Sequence, residues 1–283
     1  MSNSSMKTLL MAVCNVTPDS FSDGGDHQDP AQAIEYSLNA ISAGADLIDV
    51  GGESTRPGST RIPASEEIRR IGQVVQELVN KNIKVSVDTI HAATAEYVLS
   101  LGASIINDVS GGAYDPDMMS VIADADCDYV LQHMRGTPDT MDQLTDYPDG
   151  LVSTVITELT RSTEKFVAAG VSPSRIIWDP GLGFAKTSAQ SWALLGATGE
   201  LVKASPSGKV LIGTSRKRFL QSAVAQGRRP LPDWDGIHAH ERDLVTAATS
   251  ALAATSGAWG VRVHDVARTK SALEMAKRWE EDA

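Results

Sequence analysis

The sequence of 283 residues has few cysteines and no long apolar run. Its two cysteines, Cys14 and Cys127, both lie in apolar segments, which excludes a disulfide framework and predicts two small, buried side chains. No apolar run reaches the roughly 18 residues of a membrane span, and the polar segment 1–6 lacks the apolar stretch of a signal peptide. We therefore expect a protein of the reducing cytoplasm without a membrane partner.

Cations are also scarce. The chain has 25 Lys and Arg residues against 36 Asp and Glu residues, which gives a formal net charge of −11. Binding to nucleic acid needs a surplus of cations that face the phosphates, so we expect no nucleic-acid partner. An anionic small molecule stays compatible with this balance if the few cations are concentrated in one place.

What the chain does contain is a regular alternation of short apolar segments and longer amphipathic ones. The short segments are rich in Val, Ile and Leu and do not alternate with polar residues, which is typical of strands buried on both faces. Eight strands are predicted, at Leu9–Cys14, Asp46–Val50, Lys84–Val87, Ser104–Ile106, Asp128–Leu131, Arg175–Trp178, Lys209–Ile212 and Gly260–Val263. The amphipathic segments predict helices that include Ala31–Ser42, Ser65–Asn80, Ala92–Leu101, Leu151–Ala169, Arg216–Gln226 and Arg242–Ser256.

A glycine follows several of the predicted helices just before the next strand, as in Ala43-Gly44-Ala45 and Leu101-Gly102-Ala103. Glycine supplies the left-handed cap that lets the chain turn back, and repeated βα units wind into a parallel sheet. Eight units predict a single-domain α/β fold, a (β/α)8 barrel over residues 7–283 after a disordered or extended tail at residues 1–6. An open, doubly wound sheet is the alternative architecture.

A polar residue follows almost every predicted strand, and in a barrel these strand ends meet on the face that carries active sites. The residues are Asn15, Glu53, Asp88, Asn107, His133, Asp179, Ser215 and His264. Among them, Asp88, Asn107 and Asp179 are acceptor-rich groups that suit the N–H and NH2 donors of a flat, nitrogen-rich ring. Met134 and Phe184 are expected to lie against the faces of that ring.

Cations follow strands 7 and 8. Ser215 is a plausible N-cap of the predicted helix Arg216–Gln226, which would put Arg216, Lys217 and Arg218 in its first turn. Cations there oppose the helix dipole unless an anion is bound nearby. Because Arg262 and His264 are two residues apart on strand 8, they point the same way, and we expect an anion site to which Arg56 could contribute.

These residues belong to motifs through which the chain resembles the dihydropteroate synthase family, from about Thr8 to Trp279. The motifs are Asn15-Val-Thr-Pro-Asp-Ser-Phe-Ser-Asp-Gly-Gly25, Gly51-Gly-Glu-Ser-Thr-Arg-Pro-Gly58, Ser86-Val-Asp-Thr89, Ile106-Asn-Asp-Val-Ser-Gly111, Asp179-Pro-Gly-Leu-Gly-Phe184, Ser215-Arg-Lys217 and Arg262-Val-His-Asp265. The family joins 6-hydroxymethyl-7,8-dihydropterin diphosphate to p-aminobenzoate and releases diphosphate. The resemblance therefore implies a cytoplasmic transferase of folate biosynthesis, usually a homodimer, and a target of sulfonamide analogues.

The resemblance also implies a role for each matching position. The pterin would be held by Asp88, Asn107, Asp179 and Lys217, with Met134 and Phe184 against its faces. The diphosphate would be bound by Asn15, Thr55, Arg56, Arg262 and His264, with Asn15 as the ligand of a bridging Mg2+. The p-aminobenzoate site would be formed by Phe21, Arg56, Pro57, Ser215, Lys217 and Arg218. The residues implied in catalysis are Lys217, Asp23 in the first loop and Arg262.

Two departures from the family pattern lie close to these positions. Ala185 stands where glycine is frequent, and Arg218 stands where serine is frequent, which bears on contacts with the benzoate carboxylate or a sulfonamide. A pterin-binding module of methyltetrahydrofolate methyltransferases, or a noncatalytic pterin-binding paralogue, is the alternative function. Neither alternative needs the first two loops or the Ser-Arg-Lys motif, which bind diphosphate and p-aminobenzoate.

Overall fold

Eight parallel strands form one sheet that closes into a barrel. The computed structural model describes residues 7–17, 30–53, 61–137, 140–224 and 238–281. The strands follow one another in the order β6-β5-β4-β3-β2-β1-β8-β7. A parallel bridge between Trp178 and Val210 joins β6 to the segment that leads into β7, which completes the ring. The predicted (β/α)8 barrel is confirmed, and the open sheet is wrong.

All eight predicted strands are present, each within two residues of its expected ends. They are β1 (Leu9–Asn15), β2 (Leu47–Gly51), β3 (Val85–Asp88), β4 (Ile105–Asp108), β5 (Asp128–Gln132), β6 (Ile176–Asp179), β7 (Leu211–Ile212) and β8 (Gly260–Val263). Several run further than predicted, into the polar residues, because those residues still pair with the neighbouring strand. Asp88, for example, pairs with Gly51 on one side and with Asn107 on the other.

Helices pack around the outside of the barrel. They are α1 (Pro30–Ser42), α2 (Ala64–Asn80), α3 (Ala92–Ser100), α4 (Met118–Asp124), α5 (Leu151–Ala168), α6 (Ser188–Gly196), α7 (Thr198–Ala204), α8 (Gln221–Val224), α9 (Ala239–Thr255) and α10 (Val266–Glu281). No helix within the described ranges is long and apolar enough to cross a membrane.

The predicted helix Arg216–Gln226 is wrong at its start. Arg216 has a left-handed backbone, with φ of 57°, and Lys217 is extended, so helical structure begins only with a 3-10 turn at Arg218–Leu220. The Arg216 guanidinium forms a two-point ion pair with buried Asp243, at 2.8 and 3.0 Å, which fixes this turn. Arg216 and Lys217 therefore precede the helical segment, only Arg218 lies within it, and Ser215 is not its N-cap.

Two apolar layers support the barrel. The larger one fills the space between the sheet and the helices and contains both Cys14 and Cys127, which are buried free thiols as predicted. The smaller one fills the barrel interior and is formed by Met11, Leu47, Ile105, Val130, Ile177 and Leu211. On most strands the side chains above this inner layer, toward the carboxyl ends, are polar, and they form the candidate site.

Candidate active site

The floor of the site is placed by the two-residue repeat of the strands. Side chains two residues apart on a strand share a face, so the residue two positions beyond an inner-layer residue also points into the barrel. On four strands these residues are Asp49, Asn107, Gln132 and Asp179, all at most 5% exposed. Asp88 and Arg262 reach the same space from β3 and β8.

Asp49 is the centre of the hydrogen bonds on this floor. Its side chain is fully buried and accepts hydrogen bonds from Ser86 Oγ at 2.6 Å, Asn107 Nδ2 at 3.0 Å and Arg262 Nε at 2.6 Å. Sequence reasoning missed Asp49, although one signal was available, namely an acid in the middle of the apolar strand segment Leu47–Gly51.

Arg262 joins two acids. While Nε faces Asp49, Nη2 donates to Asp88 Oδ2 at 2.8 Å. Burial raises the pKa of Asp88 to about 7, and the positive charge of Arg262 opposes that rise. The structure thus neutralises the Arg262 cation with protein carboxylates, and its expected contact with a diphosphate stays a prediction.

Asn107 presents an unpaired acceptor. Because the Asp49 carboxylate can only accept, the Asn107 group that faces it is the NH2, and the carbonyl oxygen points elsewhere. That oxygen, Oδ1, is buried and has no hydrogen-bond partner among the described residues. Buried polar atoms are nearly always paired, so this oxygen indicates a ligand that donates a hydrogen bond.

Asp179, Lys217 and Phe184 meet on one side of the floor. The Asp179 carboxylate accepts from the Gly181 backbone N–H at 2.7 Å; burial raises its pKa, and the Lys217 charge opposes this rise. Lys217 Nζ donates to the Leu182 carbonyl at 2.6 Å and lies 4.9 Å from the centre of the Phe184 ring. Burial lowers the pKa of Lys217 to about 8. These three predicted residues are brought together.

Ser215 and His264 form a pair between β7 and β8. Ser215 Oγ lies 2.8 Å from His264 Nδ1, and the hydroxyl oxygen also accepts from the His264 backbone N–H at 3.1 Å. Arg218 is exposed. Arg216 does not join the site as expected, because its guanidinium is held by Asp243.

The remaining predicted residues either make no hydrogen bond to the acids of the barrel floor or lie outside the described part of the chain. Asn15 ends β1 beside Gly51, where its Oδ1 lies 3.7 Å from the position that a Cβ on Gly51 would take. Met134 is half-buried and lines a groove of about 240 Å3 between the loop after β4 and helix α5. Phe21, Asp23, Thr55, Arg56 and Pro57 lie outside the described residues. Over the described part of the chain, no group of three His, Cys, Asp or Glu side chains could hold a metal ion.

The sequence is similar to that of known pterin-binding enzymes. The family model described as "Pterin binding enzyme" matches residues 11–264. The dihydropteroate synthase of Mycobacterium leprae is 44% identical over 271 residues, which cover 95% of this chain and 93% of the relative.

Two solved structures have the same fold over nearly the whole chain. The dihydropteroate synthase of Yersinia pestis, solved with a sulfonamide drug, has a TM-score of 0.86 at 33% identity and covers 98% of this chain and 95% of its own. That of Xanthomonas albilineans, solved with 7,8-dihydropteroate, has a TM-score of 0.82 at 32% identity, with 97% and 94% covered.

Proposed function

Because the chain belongs to the dihydropteroate synthase family of pterin-binding enzymes, and is therefore a transferase of folate biosynthesis, we propose that its barrel floor binds 6-hydroxymethyl-7,8-dihydropterin diphosphate and joins it to p-aminobenzoate. The observation that carries the site assignment is the buried Asn107 carbonyl, which has no hydrogen-bond partner among the described residues and shares the barrel floor with Asp88 and Asp179. A dihydropterin offers ring N–H and NH2 donors along one edge, which complement these acceptors.

The pterin lies with its donor edge on the acids and its faces against Phe184 and Met134. Asp88 and Asp179 then accept from the heterocycle while Lys217 donates to its opposite edge. Lys217 is supported in this role by its position, since its Nζ donates to the Leu182 carbonyl and lies 4.9 Å from the Phe184 ring centre. This set of acceptors favours ligands with nitrogen donors and excludes heterocycles that lack them, because a buried acceptor without a hydrogen bond is costly.

The diphosphate lies toward β8, with His264 and Arg262 from that strand and Thr55 and Arg56 from the second loop. Arg262 uses Nε and Nη2 on Asp49 and Asp88, so Nη1 is the group assigned to the diphosphate. The p-aminobenzoate, and a sulfonamide in its place, lies near Ser215, Lys217 and Arg218, and Phe21, Arg56 and Pro57 complete that site.

We assign a Mg2+ ligand to Asn15. No hydrogen bond joins the Asn15 side chain to the described residues, so its amide oxygen is available. Mg2+ typically takes one or two protein oxygens together with substrate phosphates and water, which fits a position with a single amide oxygen and no cluster of acids. A bound Mg2+ would supply charge neutralisation for the departing diphosphate.

The chemistry that this site favours is a dissociative, SN1-like substitution. The amine of p-aminobenzoate is neutral and nucleophilic at pH 7, so it needs no strong base, and the difficult step is cleavage of the carbon–oxygen bond to diphosphate. Positive charge then develops on the pterin methylene and spreads into the ring. The buried carboxylates of Asp49, Asp88 and Asp179 lie where they stabilise that charge, while Arg262 stabilises the leaving group. Asp23 is assigned to the ordering of the closed, reactive state.

We further propose that the protein is a cytoplasmic homodimer. Two buried free thiols suit a reducing cytoplasm. The chain acts as a homodimer through α9 and α10, which carry Leu244, Leu252, Met275 and Trp279, each more than 60% exposed. Large apolar residues that are exposed together mark an interface.

The test is an assay for release of diphosphate by the purified protein. We expect release only when the dihydropterin diphosphate, p-aminobenzoate and Mg2+ are all present, with dihydropteroate as the second product. Asp179→Asn should lower kcat/KM by about 100-fold or more, the size of one preorganised electrostatic contact. Pterin binding without formation of dihydropteroate would instead identify a noncatalytic pterin-binding protein.

A further inference from the structure

A buried lysine that the proposed reaction does not use lies beneath the turn after β6. Lys186 is 7% exposed, and its Nζ donates to His133 Nδ1 at 3.0 Å and to the Phe184 carbonyl at 2.9 Å. Lys217 donates to the Leu182 carbonyl of the same turn at 2.6 Å. Two ammonium groups therefore hold one short turn, which carries Phe184 and begins at Asp179.

His133 connects this turn to the outside of the barrel. Its backbone N–H donates to the Asp179 carbonyl at 2.8 Å, and its Nε2 lies 2.8 Å from Glu158 Oε2 on helix α5. Arg135 donates to both oxygens of Glu158, at 3.0 and 2.5 Å. A chain of contacts thus runs from Lys186 through His133 and Glu158 to Arg135.

The protons in this chain are fixed by chemistry. An ammonium group can only donate, so Nδ1 of His133 accepts from Lys186 and Nε2–H donates to Glu158. Burial lowers the pKa of His133 to about 4, and the hydrogen bonds from His133 and Arg135 lower that of Glu158 to about 2. At a pH below the pKa of Lys186, the chain therefore contains a neutral imidazole between a buried cation and a half-buried anion.

Lys186 Nζ also lies 3.4 Å from the position that a Cβ on Gly181 would take, and the Gly181 N–H is the group that donates to Asp179 Oδ1. We propose that Lys186 is a positioning residue of the pterin site, whose ammonium group lies against the Gly181 turn and supports both Asp179 and Phe184, and that the His133–Glu158 pair holds this ammonium group in place. The proposal rests on the proposed function, since Asp179 matters only if it binds the pterin. It goes beyond that function because neither Lys186 nor His133 nor Glu158 is needed to contact the substrate.

The charged groups around Lys186 decide how activity depends on pH. Burial lowers the pKa of Lys186 to about 7; Asp179 and Glu158 oppose that change, and Lys217 and Arg135 add to it. A neutral Lys186 no longer favours ionised Asp179, so kcat/KM should fall as the pH rises through the pKa of Lys186. On the acid side, kcat/KM should fall when Asp179 becomes protonated, and loss of the Lys186 charge should move that limb to higher pH.

Lys186→Gln and Lys186→Arg separate the charge from the shape. We expect Lys186→Gln, which keeps a donor for the Phe184 carbonyl, to raise the acid limb of the kcat/KM profile by about one pH unit, the effect of one nearby cation on a carboxylate. At a pH below the acid limbs of both the wild type and the variant, kcat/KM of the variant should be about tenfold lower. Lys186→Arg should leave the acid limb where it is and move the alkaline limb upward, toward that of Lys217. The diphosphate substrate titrates in the same way for every variant, so differences between their profiles come from the protein.

Glu158→Gln tests the outer end of the chain without disturbing the buried turn. Loss of the Glu158 charge should lower the pKa of Lys186, so the alkaline limb should move to lower pH. Glu164→Gln, an exposed acid on the same helix, is the control and should leave the profile unchanged.

Binding of 6-hydroxymethylpterin, measured by calorimetry across the same pH range, separates this proposal from the function on which it rests. Wild-type protein that neither binds this pterin nor forms dihydropteroate would contradict the proposed function. If the wild type is active but Lys186→Gln and Glu158→Gln lower the rate uniformly, with both limbs and the pH dependence of pterin binding unchanged, Lys186 has only a structural role and the proposal is overturned. The Glu158→Gln profile decides the question if the Lys186 variants do not fold.

Discussion

At the scale of single residues, the centre of the site depends on charges that are paired before any ligand binds. Arg262 faces two buried carboxylates, Asp49 at 2.6 Å and Asp88 at 2.8 Å. Removal of one member of a buried ion pair leaves an uncompensated charge, which costs far more than the pair contributes. Arg262 is therefore needed for stability as well as for its proposed contact with diphosphate.

We predict that Arg262→Ala lowers the free energy of unfolding by about 3–5 kcal/mol, measured by urea denaturation at pH 7.5. Arg218→Ala removes an exposed cation near the same face and should change the free energy of unfolding by no more than about 0.5 kcal/mol. Equal stability of the two variants would contradict the view that Arg262 compensates Asp49 and Asp88. Activity measurements on Arg262 variants therefore need the stability measurement beside them.

At the scale of secondary-structure elements, the strands could be predicted and the turn after β7 could not. The strands are continuous apolar segments, and a polar residue follows almost every one, so the barrel and most of its inward-facing polar residues follow from local patterns. The segment Ser215–Arg218 looks like the start of a helix, yet Arg216 is left-handed because its guanidinium pairs with Asp243, 27 residues later. Asp49 escaped prediction for the same reason, because its partners lie on three other strands.

The turn after β6 shows how closely these elements fit together. Gly181 has φ of +67°, and a Cβ on it would lie 2.0 Å from the His133 carbonyl oxygen. Gly208, before β7, has nearly the same φ, +68°, but a Cβ there would meet nothing within 4 Å. The two glycines thus share a left-handed φ and differ in the space around them.

This pair gives a matched prediction about the turn. Gly208→Ala should cost only the left-handed backbone penalty of about 1–2 kcal/mol. Gly181→Ala adds a steric clash with backbone and should cost about 2–5 kcal/mol in total, together with a loss of pterin binding because Asp179 is displaced. Chemical denaturation and pterin calorimetry measure both effects. Similar losses of stability in the two variants would show that the turn tolerates movement away from His133.

At the scale of the whole molecule, the distribution of charge and apolar surface separates two faces. The net charge of −11 extends to the barrel mouth, where Lys217 and Arg262 face the site together with the buried acids Asp49, Asp88 and Asp179. The cations assigned to the diphosphate and the carboxylate are therefore balanced by acids before a substrate binds. The apolar surface lies elsewhere, on helices α9 and α10, which pack against each other. Leu244, Leu252, Met275 and Trp279 are 64%, 62%, 73% and 75% exposed there, whereas the other large exposed apolar residues described are at most 49% exposed.

A homodimer through this face makes a specific prediction. In a two-fold symmetric interface every substitution occurs twice, and the same patch meets itself, so one charge placed in it faces its own copy across desolvated surface. We expect Leu252→Glu to convert a particle of twice the 30.0 kDa chain mass into a monomer, measured by light scattering after size exclusion. Val167→Glu, at a 39% exposed position on α5, should stay dimeric. A wild-type particle with the mass of one chain would contradict the assignment, and dimeric Leu252→Glu would place the interface on another face. Helices α9 and α10 flank the segment that carries β8, Arg262 and His264. If both helices stay folded without the partner, the monomer should retain pterin binding.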